Sequence, residues 1–270
     1  MLDALYVAAT GMQAQQLDVD TIANNLANLN TTAFKKSRIS FTDLVRLERV
    51  RQAHVVGLGG GDGPDETGPL AAVPRMGAGV GIASVAKLFD AGAITQTNSQ
   101  WDVAINGDGF LSVAMPDGST AYTRGGTLKV NADGLLAVES GQPLKPGIAI
   151  PANATAVSIG SDGSVSAAIA GQSAPAKLGQ LQLVRFANPA ALLAQSGGLY
   201  SESDGSGEAI SGDAGRDGIG TLRQGALEGS NVQMVDEMVN LMVAQRAYEA
   251  SVKVAQASDE LLGLVNNLRK

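Results

Sequence analysis

Apolar residues recur at every seventh position at both ends of the chain. Near the start, up to about Asn28, these positions are Leu5, Met12, Val19 and Leu26. From Asn231 to about Leu268 they are Met234, Leu241, Tyr248, Ala255 and Leu262. A seven-residue repeat keeps one apolar seam facing a partner helix. The pattern predicts two terminal helices whose seams pair with each other or with neighbouring copies, as in an assembly protein rather than an enzyme.

Between the helices the pattern changes to short apolar runs separated by turn residues. We expect Val80 to Thr97 to be extended, and beyond Trp101 pairs of Asn or Asp with Gly mark the turns. These lie at Asn106-Gly107, Asp108-Gly109, Asp117-Gly118, Asn131 to Gly134 and Asp162-Gly163. Such pairs supply the positive φ angles that tight hairpins need. The sequence therefore predicts one antiparallel β domain over roughly Val85 to Arg223.

Composition and charge narrow the possible partners. The chain has 34 glycines, only 4% aromatic residues and a net charge of −7, with no basic block. Nucleic-acid binding needs clustered positive charge, so nucleic acid is not an expected partner. Cysteine is absent, which rules out disulfides and thiolate metal sites. This suits a reducing compartment or a protein that is exported unfolded.

The N-terminal residues predict export without a cleaved leader, if the protein leaves the cytoplasm. Met1-Leu2-Asp3-Ala4 begins an amphipathic helix, with no basic leader and no cleavage site before it. A secretory signal peptide is therefore not expected. No run of eighteen apolar residues predicts a membrane span either.

Candidate chemistry is sparse. The single histidine, His54, has no cysteine or nearby carboxylate beside it, so we expect no catalytic triad, metal centre or cofactor. The glycine-rich stretch Val56 to Gly68 reads as a loop and lacks the spacing of a dinucleotide fingerprint. The acidic stretch Ser201 to Gly220 reads as a second surface loop, and its spacing matches no standard calcium loop.

Two motifs at opposite ends of the chain resemble one known family. Ile22 to Asn28, followed by Thr32 to Lys35, is similar to the N-terminal signature of the axial proteins of the bacterial flagellum, which form the rod and hook. Gln224 to Val232, continuing to Gln245 to Glu249, is similar to their C-terminal signature. The order of the two motifs also matches that family.

The central motifs indicate a position within the family. Gln96 to Asn98, Trp101 to Phe110 and Ala121 to Arg124, with Gly126, are most similar to distal rod members. The larger proximal rod paralogue and the hook subunit are the alternatives. The stretch between Leu44 and Gly77 is longer and richer in glycine than we expect of a distal rod protein. From another class, a surface adhesin or carbohydrate-binding β domain would explain the helices and strands, but not both signatures.

The resemblance implies an α+β fold in four segments. Residues 1–30 would form the N-terminal inner helix, 31–84 an extended linker with the glycine-rich loop, 85–223 the central β domain, and 224–270 the C-terminal inner helix. The terminal helices would form a coiled-coil-like inner domain. The resemblance further implies that copies of the chain form a homopolymeric drive shaft, which spans the periplasm and transmits torque from motor to hook. Its partners would be other rod proteins, the hook protein, the surrounding ring proteins and the type III export apparatus.

The resemblance and the heptads together predict the assembly interface. We expect Asn24, Asn25 and Asn28 to bind the backbone of neighbouring subunits and to set the register. The other predicted interface residues are Leu5, Met12, Val19, Leu26, Phe34, Leu227, Asn231, Met234, Leu241, Gln245, Arg246, Tyr248 and Leu262.

Overall fold

The computed structural model describes residues 2–47, 75–172 and 174–267. Helix α1 (Leu2–Ala27) and helix α2 (Met234–Asn267) enclose the strands in sequence. The strands are β1 (Ser37–Leu47), β2 (Arg75–Lys87), β3 (Ile94–Gln96), β4 (Asp102–Asn106), β5 (Phe110–Ala114), β6 (Thr120–Thr123), β7 (Gly125–Val130), β8 (Leu136–Val138), β9 (Leu144–Lys145), β10 (Ala154–Ile159), β11 (Ser164–Ile169), β12 (Ala176–Gln180), β13 (Gln182–Arg185), β14 (Leu193–Ala194), β15 (Leu199–Ser201), β16 (Ile210–Asp213), β17 (Thr221–Gln224) and β18 (Ala226–Glu228).

Two compact units divide these elements, and both are discontinuous in sequence. The first takes the described residues within Met1–Asp20, Ile39–Ser84 and Leu241–Lys270. The second takes those within Thr21–Arg38 and Val85–Asn240. No helix in the described ranges is long and apolar enough to cross a membrane.

In the first unit, α1 contacts α2 at Gly11 and β2 at Thr10. Ala8, Ala14 and Ala244 are buried, and a Cβ placed on Gly11 would lie 3.5 Å from Ser251 Oγ. The backbone N–H of Val80 in β2 donates to Thr10 Oγ1 over 3.4 Å. Side chains without bulk allow such close approach. The predicted seam residues Leu5, Met12, Val19 and Leu241 flank this contact and are half-buried.

The second unit contains the antiparallel sheets. The largest has the order β14-β15-β6-β5-β13-β16, with β9 paired to β5. A second has the order β17-β4-β7-β8, a third is β10-β11-β12, and β18 pairs with β3. The strand pairs of these sheets are antiparallel, which confirms the predicted α+β fold with a mainly antiparallel β domain.

Aliphatic side chains from the three larger sheets form the main core of this unit. Val103, Leu111, Leu136, Val165 and Leu183 are fully buried there. A second cluster is aromatic, with Tyr122 and Phe186 in an edge-to-face contact whose ring centroids lie 4.8 Å apart. Edge-to-face contact suits the ring quadrupoles.

The predicted Asx-Gly turns are confirmed. Gly107, Gly109, Gly118, Gly134 and Gly163 all have positive φ angles. At Gly163, with φ of +84°, a Cβ would also collide with the carbonyl oxygen of Leu181. A non-glycine residue at this position would be strained both in its backbone and by contact.

Strands β1, β16 and β18 occupy stretches that sequence analysis did not assign to strands, and β18 lies at the start of the segment 224–270 that was predicted as the C-terminal inner helix. β1 lies in the predicted linker, and β16 lies in the stretch 201–220 that was predicted as a loop; that loop prediction is wrong for Ile210 to Asp213. β16 forms because each of its residues pairs with β13, from Arg185↔Ile210 to Gln182↔Asp213. His54 and the predicted loop 56–68 lie outside the described residues.

Candidate assembly site

The segments that connect the two helices to the β strands meet at β3. Strand β18 pairs with β3 from Ala226↔Gln96 to Glu228↔Ile94. The N–H of Ala33, just after α1, donates to the carbonyl oxygen of Glu228 over 2.8 Å. Ala33 has a φ of +56°, which is uncommon for a residue with a side chain. The segment that follows α1 and the segment that precedes α2 are thus joined within the second unit.

Three charged side chains are buried at this junction, and we call Lys35, Arg124 and Glu228 the buried charge cluster. Their exposed fractions are 0%, 3% and 1% respectively. Lys35 Nζ lies 2.7 Å from Glu228 Oε1, and Arg124 Nη2 lies 3.2 Å from Glu228 Oε2. One carboxylate therefore balances two cations that come from different parts of the sequence.

Backbone groups satisfy the remaining hydrogen-bonding capacity of the cluster. Arg124 donates to the carbonyl oxygens of Gly109 over 2.7 Å and Gly107 over 2.9 Å. Lys35 Nζ donates to the carbonyl oxygen of Asp90 over 2.6 Å. The N–H of Gly92 donates to Glu228 Oε1 over 3.0 Å. Because a buried charge is tolerated only when it is paired and hydrogen-bonded, these contacts make the cluster possible.

Burial sets the protonation behaviour of Lys35. Desolvation lowers the pKa of its ammonium group, and the hydrogen bond to Glu228 opposes that effect without cancelling it. Burial penalises the charged form, whereas an adjacent carboxylate favours it.

Two asparagine side chains bind the chain where it leaves the first helix. Asn25 Nδ2 donates to the carbonyl oxygen of Ser37, and Asn25 Oδ1 accepts from the N–H of the same residue, both over 2.9 Å. Asn231 Oδ1 accepts from the N–H of Lys36 over 2.8 Å, and its Nδ2 donates to the carbonyl oxygen of Leu88 over 2.8 Å. Each side-chain amide both donates a hydrogen bond to the backbone and accepts one from it, as a residue in a neighbouring strand would.

Asn25 and Asn28, which are predicted to bind neighbouring subunits, also form hydrogen bonds within their own chain. Asn25 is buried and forms both bonds to Ser37 within its own chain. Asn28 Nδ2 donates to the carbonyl oxygen of Asn24 over 2.9 Å, and Asn28 Oδ1 accepts from the Thr31 hydroxyl over 3.1 Å. In this structure the amides of Asn25 and Asn28 fix the end of α1.

Helix α2 begins with an apolar surface that faces solvent. We call Met234, Val235, Met238, Val239, Met242 and Val243 the exposed α2 face; their exposed fractions range from 47% to 73%. Gln245 and Arg246 follow in the next turn, and Arg246 pairs with Glu249 over 3.0 Å at the surface. A helix surface that stays in water normally carries polar side chains, so a partner is expected to cover these first turns.

The predicted interface residues lie in different environments. Asn24, Met234, Gln245, Arg246 and Tyr248 are exposed, and Asn25 is buried. The others are half-buried: Leu5, Met12, Val19, Leu26, Asn28, Phe34, Leu227, Asn231, Leu241 and Leu262. Their role in assembly stays a prediction.

Sequence reasoning did not identify the buried charge cluster or the valines of the exposed α2 face. Lys35, Arg124 and Glu228 each lie in one of the motifs that carry the family resemblance. The feature of the sequence that could have identified them is that each is the charged residue of an otherwise uncharged motif. Val235, Val239 and Val243 fall outside the predicted seam, and their signal was repeated β-branched residues on a helix.

Models of flagellar rod and hook families match both ends and the centre of the chain. A model described as flagella basal body rod protein matches residues 5–35. One described as flagellar hook protein FlgE/F/G D1 domain matches residues 104–167. A third, flagellar basal body rod FlgEFG protein C-terminal, matches residues 223–268.

Similar proteins match over nearly the whole chain. The flagellar basal-body rod protein FlgG of Borreliella burgdorferi is 44% identical over 273 residues, covering 100% of both chains. FlgG of Bacillus subtilis is 36% identical, also over 100% of both chains. The flagellar basal-body rod protein FlgF of Caulobacter vibrioides is 32% identical, over 97% of this chain and 95% of its own. The chain therefore belongs to the family of flagellar rod and hook proteins, and within it to the basal-body rod proteins named FlgG.

Proposed function

We propose that this chain is a structural subunit of the distal rod in the bacterial flagellar basal body. Copies of it polymerise into a hollow helical shaft that transmits torque from the motor to the hook. The exposed α2 face carries the proposal, because a rod subunit must cover its helices with other copies. Full-length identity to FlgG proteins of up to 44%, against 32% for a FlgF protein, favours the distal rod over the proximal paralogue.

The energetics of the exposed α2 face favour burial by a second copy. Burying an exposed Val or Met side chain contributes about 1.5–3 kcal/mol. The three valines also lower the helix propensity of α2 relative to better helix formers. Packing against a neighbouring subunit would bury this apolar surface and would offset the lower helix propensity.

The close approach of the helices in the first unit supports a coiled-coil-like inner domain. Gly11 faces Ser251 at short range, and the half-buried seam residues on either side leave apolar surface for further helices. In the rod, α1 and α2 pair and then stack on the helices of neighbouring subunits. The predicted interface residues that remain exposed, such as Tyr248, are covered at that stage.

The partners and location follow from the same proposal. The subunit contacts other rod proteins, the hook protein and the surrounding ring proteins, and it crosses the periplasm within the rod. It reaches that position through the flagellar type III export apparatus. The net charge of −7 keeps the outer surface hydrated, which suits rotation inside a ring.

Deletion of the gene followed by rescue tests the function. We expect electron cryotomography of the deletion strain to show a shortened rod and no external hook. The unaltered gene and Gln256→Glu restore motility, whereas Val239→Asp does not. Both variants add one negative charge to an exposed position of α2, but only Val239 lies on the exposed α2 face.

Two results would contradict the proposal. A complete hook and filament in the deletion strain would mean that the chain is not a rod subunit. Full motility with Val239→Asp would mean that the exposed α2 face is not an assembly surface.

A further inference from the structure

Methionine is concentrated on the exposed α2 face. Three of the seven methionines in the chain lie there, at Met234, Met238 and Met242, with exposed fractions of 50%, 51% and 58%. Residues four apart on a helix lie on one side, so the three thioethers form a stripe. Met12 and Met115, in contrast, are half-buried.

Valines flank this methionine stripe. Val235, Val239 and Val243 each follow one of its methionines and are exposed by 73%, 47% and 63%. A valine side chain has no hydrogen-bond donor. A polar group formed on the stripe would be hydrated in the free subunit, and would lose water when another subunit covered the face.

We propose that the methionine stripe is an oxidation site that controls assembly of the free subunit. This inference rests on the proposed function. The oxidant is a peroxide: its terminal oxygen forms a bond to the thioether sulfur, and the O–O bond breaks. The sulfur loses two electrons, and hydrogen peroxide is reduced to water. The product is methionine sulfoxide, which methionine sulfoxide reductases convert back to methionine.

Oxidation opposes assembly because it changes an apolar side chain into a polar one. The sulfoxide oxygen is a hydrogen-bond acceptor that is well hydrated on the free subunit. Covering the stripe removes that water, and burying an unpaired polar group is unfavourable. We expect the concentration needed for assembly to rise by about tenfold or more. The oxidation takes place before assembly, because a neighbouring subunit would shield the stripe afterwards.

Replacing the three methionines of the stripe by leucine provides a matched control. Leucine and methionine are similar in volume and in helix propensity, but leucine has no sulfur to oxidise. The variant with Met234→Leu, Met238→Leu and Met242→Leu should assemble like the unaltered chain and should remain able to assemble after peroxide treatment.

The experiment uses the purified full chain and hydrogen peroxide. Peptide mass spectrometry follows the addition of oxygen to each methionine, and sedimentation measures the concentration needed for assembly. We expect Met234, Met238 and Met242 to be oxidised before Met12 and Met115. The oxidised chain should need at least about tenfold more protein to assemble, and methionine sulfoxide reductase should restore the original value.

The possible results separate this inference from the proposed function. Failure of the untreated chain to assemble at any concentration would contradict the proposed function. If the untreated chain assembles, equal assembly after oxidation of the stripe would overturn the inference alone. Equal loss of assembly in the triple-leucine variant would also overturn it, because the sensitive residue would then lie elsewhere.

Discussion

The buried charge cluster and the exposed α2 face place charged and apolar side chains in opposite environments. Lys35, the most buried member of the cluster, is 0% exposed, whereas Val235 on the helix is 73% exposed. The cluster is satisfied within one chain, whereas the helix face needs a second chain to cover it. Stability of the subunit and association between subunits should therefore depend on separate residues.

The largest expected effect is the loss of the central carboxylate. Glu228→Gln removes the negative charge that balances Lys35 and Arg124. Because an uncompensated buried charge is strongly unfavourable, we expect the free energy of unfolding to fall by about 3–5 kcal/mol. Denaturant unfolding, followed by the fluorescence of Trp101, measures this change.

Lys35→Met is the control for that prediction. It leaves Glu228 paired with Arg124, so we expect a smaller loss than for Glu228→Gln. Equal stability of the Glu228→Gln chain and the unaltered chain would show that the cluster does not hold the subunit together.

A smaller effect is expected for the buried amide. Asn25→Ala leaves the N–H and carbonyl oxygen of Ser37 without their side-chain partner, and we expect a loss of about 1–3 kcal/mol. Asn24→Ala, at the exposed preceding position, serves as the control. Impaired assembly of Asn25→Ala with unchanged unfolding would instead support the original expectation of a contact between subunits.

Alkaline pH tests the buried tyrosines beside the cluster. Burial raises the pKa of Tyr200 to about 12, and burial together with the hydrogen bond to Glu202 raises the pKa of Tyr122 to about 12. In the unfolded chain both tyrosines ionise near the ordinary value of 10.0. The unfolded state therefore loses its protons first, and stability should fall as the pH rises from 10 to 12.

The buried lysines have the opposite effect on the pH dependence of stability, and they act at lower pH than the tyrosines. Burial lowers the pKa of Lys35 and Lys87 below the ordinary value of 10.5, so their contribution to stability rises as the pH approaches that value. The tyrosine effect is therefore measured above pH 10.5. Tyr122→Phe should make the loss of stability with rising pH less steep. If the slope of stability against pH is unchanged in this variant, other groups cause the loss.

The smallest effect on stability is expected on the exposed α2 face. Val235→Gln replaces a solvent-exposed β-branched residue by a better helix former, so unfolding should change by less than about 0.5 kcal/mol. Assembly should nevertheless weaken, as measured by sedimentation. A large loss of stability with unchanged assembly would show that the exposed α2 face stabilises the subunit instead of joining it to other subunits.

Local patterns predicted much of the fold. Seven-residue repeats predicted the helices, and Asx-Gly pairs such as Asp162-Gly163 predicted the turns, because both features depend on neighbouring residues. β16 was missed because its serine, glycine and aspartate residues favour a loop, and pairing with β13 overrides that preference. Tertiary contacts decide such short strands.

The buried charge cluster could not be predicted in the same way. Lys35 and Glu228 are separated by 193 positions in the sequence, and no local rule joins residues so far apart. Their motifs marked them as unusual without showing that they meet. Asn25 was predicted as an interface residue, which stays a prediction, and its bonds to Ser37 became known only from the path of the chain after α1.

This separation also means that the order in which the chain appears affects when it can fold. Lys35 and Arg124 emerge first, and the carboxylate that pairs with both comes near the end of the chain. A chain that stops before Glu228 has two cations with no counterion at the junction. We expect such a fragment to fail to close its second unit, so that the second unit folds only in chains that extend through Glu228.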